Sequence, residues 1–462
     1  MVRLPKMGVQ RARKRKRESR SKYVSIIIVF LIMVVVVLGG AMLSDTNYSS
    51  SAYDYRTRSP PGWSEDVRIS YNSTSDREPA IAVEGEVVHI VWRSTWFGGQ
   101  IFYTKSNDAG ENWNEPVMIG PLDYGCMRPD IAVSGDDVHV VWENNNASAR
   151  EIRYLRSVDG GDTWLPERMI SSDDGNNSQA PKIAVSEDGM DVHVVWVDSR
   201  HADESFPPNL ELYYNRSHDR GLTWEGEMRL TEADYESTGP NIAVVGSSVH
   251  VVWMDERAGK WDIYYRHSLD RGATWDGEVI ISDSPNHEGP ADVATSGETI
   301  HVVWDRTVSG EDLILHRMST DNGGTWSESQ VLTTSPVRAV RPRIVTNGDE
   351  VHMVWFDGRD GGNEIYYKNY VSEVWGADTR LTYTDNSESL SPNIAIDNDK
   401  IHVVWHDDRD GDLPEIYYKR NPDFINVPEF GHVLLPVIVT IIIYVIYIYN
   451  QKKEKHKRRT KT

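Results

Sequence analysis

The feature that most constrains this chain is a repeated segment. A proline followed by a short apolar run marks each repeat, and successive prolines lie 50 to 59 residues apart. The seven prolines are Pro79, Pro129, Pro181, Pro240, Pro290, Pro342 and Pro392. A period of this length is typical of architectures in which no single unit can bury its apolar faces alone. We therefore expect seven copies of one structural unit packed against one another.

Each repeat contains four short runs rich in β-branched and aromatic residues, separated by turn residues. In order, these are Ile-Ala-Val, Val-His-Val-Val-Trp and Glu-Ile-Tyr-Tyr, or variants of them, followed by a fourth run such as Val117–Gly120. Four such runs describe a four-stranded antiparallel blade. The sequence therefore predicts an all-β fold, a seven-bladed β-propeller of four-stranded blades over residues 63–420.

The seventh repeat ends after Glu415–Tyr418 without a fourth run. A matching run, Val67–Ser70, precedes the first repeat and follows Trp63 at the spacing found elsewhere. We expect this N-terminal strand to complete blade seven, because pairing the two ends of the chain removes the seam at which a ring of blades could open.

A turn motif, Ser-x-Asp-x-Gly-x-Thr-Trp or a near match, lies between the third and fourth runs of five repeats. Its copies are Ser106–Trp113, Ser157–Trp164, Ser217–Trp224, Ser268–Trp275 and Ser319–Trp326. In the sixth repeat only Trp375 is left. Ser and Asp can bond local backbone N–H groups, Gly can adopt positive φ and Trp can be buried between blades. The motif therefore predicts a structural turn.

These five motifs resemble those of the sialidases and of the wider Asp-box, or neuraminidase-repeat (BNR), superfamily, and the resemblance covers roughly residues 63–420. It implies a β-propeller, although the sialidases have six blades. It does not imply an enzyme, since in that superfamily the boxes lie on the face opposite the active site and also occur in non-enzymatic proteins.

A sialidase-like site would need three arginines around the substrate carboxylate, a tyrosine with a glutamate, and an aspartate as acid/base. Arg77-Glu-Pro79 partly matches the family's Arg-Ile-Pro motif, and Arg128 and Arg341 directly precede their own prolines on the same predicted face. These three arginines are the candidates if the protein is a hydrolase. No tyrosine and glutamate pair can be placed from the sequence, so no catalytic residue is assigned.

Charge is distributed unevenly along the chain. The two tails, residues 1–22 and 451–462, carry net charges of +9 and +6, so a total of −21 leaves −36 on the residues between them. A body this acidic repels phosphate backbones and makes nucleic acid an unsuitable partner. Each basic tail adjoins an apolar run, Val24–Leu43 and Val433–Tyr449, that is long enough to cross a bilayer.

The positive-inside rule places both tails in the cytoplasm and everything between them outside the cell. The predicted organisation is a two-pass protein of the cell membrane with an extracellular propeller. Its segments are a basic tail (1–22), a helix (23–43), a linker (44–62), the propeller (63–420), a linker (421–431), a helix (432–450) and a basic tail (451–462). A cleaved signal peptide is the alternative for the first apolar run. Sequons such as Asn176 are consistent with an exported glycoprotein.

The loops after the second strands lie on the face opposite the boxes, and there the repeat is broken. Trp96 and Trp261 occupy such loops without counterparts in other repeats, and the third repeat inserts residues 201–208, which include Phe206. Unrepeated aromatic side chains on loops suit stacking on sugars or on a protein partner. We expect these three residues to bind a ligand.

Other candidate residues repeat and are more simply structural. A histidine in all seven second strands indicates packing and a buried hydrogen bond. Asp-x-Arg pairs such as Asp255 and Arg257 indicate salt bridges within a loop. Asp408, Asp410 and Asp412 are oxygen ligands that suit Ca²⁺, the only cofactor for which there is a candidate site, and a solvated acidic loop is the alternative.

The leading functional hypothesis is a cell-surface, non-enzymatic propeller that binds an extracellular glycan or protein through the face away from the membrane. A sialidase-like exo-glycoside hydrolase is the alternative. A structural envelope component that assembles laterally is a third possibility.

Overall fold

The computed structural model describes residues 59–421 apart from 72–73, 96–97, 121–124, 146–148, 203–208, 334–337, 385–386 and 412. Within this part of the chain, no helix is long and apolar enough to cross a membrane. The two apolar segments predicted to anchor the protein lie outside the described residues.

The described residues form seven antiparallel sheets arranged as the blades of a propeller, which confirms the predicted fold class. The strands of blades one to three are β2 (Asp76–Glu84), β3 (Val87–Ser94), β4 (Gln100–Ser106), β5 (Val117–Met118), β6 (Cys126–Ser134), β7 (Asp137–Asn144), β8 (Glu151–Ser157), β9 (Arg168–Met169), β10 (Ser178–Val185), β11 (Val192–Asp198), β12 (Glu211–Ser217) and β13 (Met228–Arg229). Those of blades four and five are β14 (Ser237–Val245), β15 (Ser248–Asp255), β16 (Asp262–Ser268), β17 (Val279–Ile280), β18 (Glu288–Ser296), β19 (Thr299–Val308), β20 (Glu311–Ser319) and β21 (Gln330–Val331).

Blade six contains β22 (Ala339–Asn347), β23 (Glu350–Asp357), β24 (Glu364–Val371), β25 (Val374–Trp375) and β26 (Thr379–Arg380). It differs from the others because both β25 and β26 pair with β24. Ser372 and Glu373 have φ of 51° and 64°, values that suit the two central residues of a tight hairpin turn. This hairpin replaces the missing turn motif and still places Trp375 at the boundary with blade five, where its ring lies 5.1 Å from that of His316.

Blade seven contains β27 (Ser389–Asp397), β28 (Lys400–Asp407), β29 (Glu415–Asn421) and, as its outer strand, β1 (Val67–Arg68). Val67 lies opposite Tyr418, and Ser70 Oγ accepts a hydrogen bond of 2.9 Å from Ile416 N. The sheet of this blade therefore joins strands from opposite ends of the described chain.

The hydrophobic core is divided into seven clusters, each made by two neighbouring blades. The tryptophan that ends each second strand is fully buried: Trp92, Trp142, Trp196, Trp253, Trp304, Trp355 and Trp405. Removing about 200 Å² of ring surface from water contributes about 5 kcal/mol for each tryptophan. Because each second strand is covered on both faces, it is a nearly continuous apolar run rather than an alternating one.

A candidate ligand site at the mouth of the central channel

The strand registers separate two faces of the propeller. In blade four, Asp255 at the end of the second strand lies opposite Ser237 and Asp262, the starts of the first and third strands. We call this side, which carries the loops after the second strands, the mouth face. Val249 at the other end of the second strand lies opposite Ser268, where the turn motif begins. We call that side the box face.

The turn motif on the box face is held together by its own side chains. In blade four, Ser268 Oγ donates to Asp270 Oδ1 at 2.7 Å and accepts from Gly272 N at 2.9 Å. Asp270 accepts further bonds from the backbone N and the Oγ1 of Thr274, at 2.8 and 2.6 Å. These bonds hold the pKa of Asp270 well below its usual range. The Asp270 carboxylate therefore stabilises the turn.

The seven repeated histidines link the blades. Their Nδ1 atoms are hydrogen-bonded to the hydroxyl of a third-strand tyrosine in six blades, as in His193 with Tyr214 at 2.5 Å, and to His316 in blade five. Burial lowers the pKa of His193 to about 3. Five of these tyrosine rings meet the tryptophan of the next blade's turn motif edge-on, as Tyr214 does with Trp275 at 5.0 Å. In blade six, Tyr367 meets Trp63 in the same way. The histidines are therefore structural, as their repetition predicts.

The charged side chains of each Asp-x-Arg loop bond to residues of their own blade. Asp255 accepts hydrogen bonds from Ser237 Oγ, Trp253 Nε1 and Arg257 Nε. The Arg257 guanidinium lies 4.5 Å from the centre of the Tyr264 ring and also pairs with Glu278. Blades three, six and seven repeat the aspartate–arginine pair. Since these arginines are bonded within their own blades, they are poor candidates for ligand contacts.

One position on the mouth face departs from the repeat in its chemistry. The residue after the second-strand tryptophan is Val197, Met254 or Phe356 in three blades, and Arg93, Glu143, Asp305 or His406 in the other four. Glu143 and Asp305 are buried, and each accepts a backbone N–H from the first strand of the next blade, Glu143 from Ala180 and Asp305 from Arg341. This substitution of titratable groups for apolar ones is present in the sequence, at a position that none of the repeated motifs marks.

Two of the three arginines predicted from the sequence line the mouth of the central channel. Arg128 and Arg341 line one cavity of about 280 Å³, together with Glu78, the residue that follows Arg77. Arg77 and Arg341 both lower the pKa of His406, which burial and these two charges bring to about 4. Arg77 and Arg341 therefore each lie within electrostatic reach of His406, and the three residues belong to three consecutive blades.

A backbone bulge turns the side chains of Arg128 and Arg341 toward the mouth. The residue before the proline has φ between 49° and 61° in six blades, and the strand register shifts at this point. A bulge re-aims the side chain that it carries. Arg128 and Arg341 occupy this position with φ of 49° and 54°, and both are exposed. In blade two, Arg128 Nη1 donates to Glu143 Oε2 at 3.0 Å, which fixes its orientation.

Asp305 has unusual electrostatics for a residue so near the mouth. Burial raises its pKa to about 7, and the hydrogen bond from Arg341 N only partly opposes this effect. In the four blades with an Asp-x-Arg loop, the tryptophan Nε1 donates to the aspartate two residues later. In blade five, which lacks this loop, Glu288 accepts from Trp304 Nε1 and Arg306, and Asp305 bonds to the backbone of blade six.

The predicted aromatic contacts are only partly described. Trp261 is half-buried on the mouth face, where its backbone N donates to His287 Nδ1 at 3.2 Å and its carbonyl accepts from Glu288 N at 3.0 Å. Trp96 and Phe206 lie outside the described residues.

The acidic loop of blade seven is engaged with protein partners. Asp408 Oδ1 accepts from Glu388 N at 2.8 Å, and Asp410 Oδ2 accepts from Arg68 Nη1 at 3.2 Å and from Tyr417. Asp412 lies outside the described residues. Among those that are described, no three His, Cys, Asp or Glu side chains are grouped so as to hold a metal ion. The calcium site stays a prediction of the sequence.

Comparison with known proteins gives a fold but no family. No family model and no curated protein matches the chain. Among solved structures, it is similar to a polysaccharide lyase of family PL25, an ulvan lyase, with 10% identity and a TM-score of 0.53 over 76% of this chain and 95% of that one. It is also similar to a protein of unknown function from Dyadobacter fermentans (14%, TM-score 0.49, 78% and 99%) and to the Hadza microbial sialidase Hz136 (15%, TM-score 0.44, 73% and 74%). At such identities the similarity concerns the β-propeller fold alone.

Proposed function

We propose that this protein is a membrane-anchored cell-surface propeller that binds an acidic glycan at the mouth of its central channel. The observation that carries the proposal is the concentration of arginines at the mouth of a strongly acidic domain. Arg128 and Arg341 line the mouth, and Arg77 directly precedes its lining residue Glu78. Arg93 and Arg150 pair with Glu78 and Glu143. Arginine binds carboxylate and sulfate groups through paired hydrogen bonds.

The environment of these arginines favours binding over a purely structural role. Arg341 is exposed, and among the described residues only its backbone N, not its guanidinium, makes a hydrogen bond. Within the part of the chain that the structure describes, Arg77 donates through Nε alone, to Ser75 Oγ at 2.7 Å. A guanidinium has five N–H donors, so both retain donors for a ligand. Neither contact neutralises the charge, which leaves it to attract an anion.

The orientation of the chain ends supports recognition outside the cell. Ser64 N donates to Arg420 O at 2.8 Å, so the first and last described segments lie together on the box face. If the predicted helices follow, both linkers leave toward the membrane from that face. Residues 421–432 span at most about 40 Å. The mouth face would then point away from the cell, where extracellular glycans are available.

The test is glycan-array binding by the full-length protein in detergent. We expect binding to carboxylated or sulfated glycans, and Arg341→Gln should weaken it about ten- to a hundredfold, since a charge-assisted hydrogen bond contributes about 1.5–3 kcal/mol. Lys400→Gln is the control, because it removes the same charge from a box-face residue paired only with Glu86. Equal binding by both variants would rule out the mouth, and binding to uncharged glycans or to a protein alone would rule out the acidic glycan.

A sialidase-like exo-glycoside hydrolase is the second candidate, favoured by one observation. Asp305, with its pKa near 7, could hold a proton at neutral pH as a catalytic acid does. Against this, Asp305 is buried, and no tyrosine is among the described residues that line the cavity. Turnover of a sialoside panel that is lost in Arg77→Ala but retained in Trp96→Ala would favour the hydrolase. Binding without turnover favours the lectin-like function.

A further inference from the structure

The central channel below the mouth carries a second polar ring. The first-strand residue opposite the second valine of Val-Val-Trp, or its equivalent, occupies the same register position in every blade. The seven residues are Ala80, Asp130, Lys182, Asn241, Asp292, Arg343 and Asn393. Four of them, Lys182, Asn241, Arg343 and Asn393, line the same cavity of about 280 Å³ as Arg128 and Arg341.

The charged members of the ring form two pairs that face each other. Lys182 Nζ lies 3.3 Å from Asp130 Oδ1, and Arg343 Nη1 lies 3.8 Å from Asp292 Oδ1. Burial lowers the pKa of Lys182, and both Arg343 and Asp292 act on it electrostatically across the channel. Lys182 and Arg343 are therefore within electrostatic reach of each other, and both line the one cavity.

Each carboxylate of the two pairs accepts a backbone N–H, whereas both cations retain N–H donors. Asp130 Oδ2 accepts from Ile183 N at 3.0 Å, and Asp292 Oδ2 accepts from Ile344 N at 2.9 Å, so each carboxylate is held by the next blade. Arg343 lies beyond hydrogen-bonding distance of Asp292, and among the described residues its guanidinium donates to no acceptor. Lys182 uses one of its three donors.

The Lys182 and Arg343 side chains are half-buried in the wall of the cavity, so their remaining N–H donors take acceptors from whatever fills it. Water could supply them, but so could a group carrying two or three oxygens. Arg341 at the mouth and Arg343 in the ring flank the same proline of blade six, so the positive charge continues from the mouth into the channel.

We infer that the channel is the deep part of the ligand site, in which Lys182 and Arg343 hold a single carboxylate or sulfate group of the ligand. This inference rests on the proposed function, and it adds that the ligand inserts an anionic substituent into the channel instead of only lying across the mouth face. The cavity is small, so the inserted part is one charged group or one acidic sugar unit. Longer parts of the glycan remain on the mouth face.

The test measures binding of glucuronate and of inorganic sulfate, separately, to the full-length protein by isothermal titration calorimetry. The variants are Asp130→Asn/Lys182→Gln and Asp292→Asn/Arg343→Gln, which remove each ion pair as a unit and so leave neither carboxylate buried without its cation. Each should weaken binding of the preferred probe about tenfold or more. Lys400→Gln, the control, should bind as the wild type does. The stronger probe identifies the inserted group as carboxylate or sulfate.

Failure of this inference can be distinguished from failure of the proposed function. If both channel variants bind within twofold of the wild type while Arg341→Gln loses binding, the channel inference is wrong and the mouth site stands. If the wild type binds neither probe nor any acidic glycan, both are wrong.

A readout on the unaltered protein covers the case in which the variants do not fold. Lys182 should be protected from amine acetylation by the bound probe, as measured by mass spectrometry, whereas Lys400 should not. Equal labelling of Lys182 with and without bound probe would contradict its contact with the ligand.

Discussion

Replacement of Gly161 by alanine tests the packing that joins the blades. Gly161 belongs to the turn motif of blade two and has φ of +85°. A Cβ atom there would lie 1.9 Å from Tyr103 Oη of blade one and 2.6 Å from Tyr103 Cζ. Tyr103 is held in place by His89 Nδ1 at 2.8 Å and by the edge of Trp164 at 5.0 Å. The ring therefore cannot move without breaking contacts between the blades.

Gly135 provides a matched control in the same blade. It also has positive φ, +56°, but a Cβ atom there would meet nothing within 4 Å. Gly135→Ala should cost only the left-handed backbone conformation, about 1–2 kcal/mol. Gly161→Ala should cost that amount plus about 1–3 kcal/mol for forcing an atom into a packed contact. The difference between the two variants isolates the contact with Tyr103.

The assay is urea unfolding of the full-length protein, followed by tryptophan fluorescence, with the free energy of unfolding taken from curves of equal slope. A double-mutant cycle with Tyr103→Phe adds a sharper test, because removal of the hydroxyl relieves the closest contact. We expect Tyr103→Phe to destabilise the wild type, by leaving His89 without its partner, but to destabilise Gly161→Ala less. Equal stabilities of Gly161→Ala and Gly135→Ala would refute the reasoning.

The remaining predictions concern charge, pH and metal. Asp255→Ala should cost about 1–3 kcal/mol in the free energy of unfolding, since it removes the shared acceptor of Ser237, Trp253 and Arg257 while Arg257 keeps Glu278, and thermal unfolding measures this. The pKa of Asp305 is raised to about 7 in the folded protein, which therefore binds this proton more tightly than the unfolded chain does. The stability gained from proton binding is complete at low pH and is lost as pH rises through 7. Asp305→Asn should therefore raise the melting temperature at pH 8 relative to the wild type and change it little at pH 5. The opposite order would contradict a buried, protonated carboxyl. The pKa of His193 is lowered to about 3, so the sign is the opposite. The stability that His193 contributes is present above pH 6.5 and falls as pH drops from 6.5 toward 3. Measured proton uptake on acid unfolding tests this prediction. If calcium binds the acidic loop of blade seven, the melting temperature should fall on chelation in the wild type but not in Asp412→Asn, and an unchanged wild-type midpoint would remove calcium from consideration.

The candidate site was predictable in part. Arg128 and Arg341 were found because each precedes a proline at a known place in the repeat, and the position of that proline sets the face of the blade. Glu143, Asp305 and His406 were missed, although they follow the second-strand tryptophans. A comparison of that position across the repeats would have found them, because an apolar residue is expected where three other blades have Val197, Met254 and Phe356.

The amino-acid sequence by itself determined the number of blades, the strands of each blade and the groups that are buried between blades. It could do so because the stabilising contacts of a propeller are made within a repeat or between adjacent repeats, and they recur at a fixed period. Only the tertiary structure decided which irregular residues meet. Lys182 and Arg343 are 161 positions apart in the chain, and no local pattern relates them. They face each other because the ring brings one first strand from every blade to the axis, and the bulge at each proline decides which side chains reach the mouth.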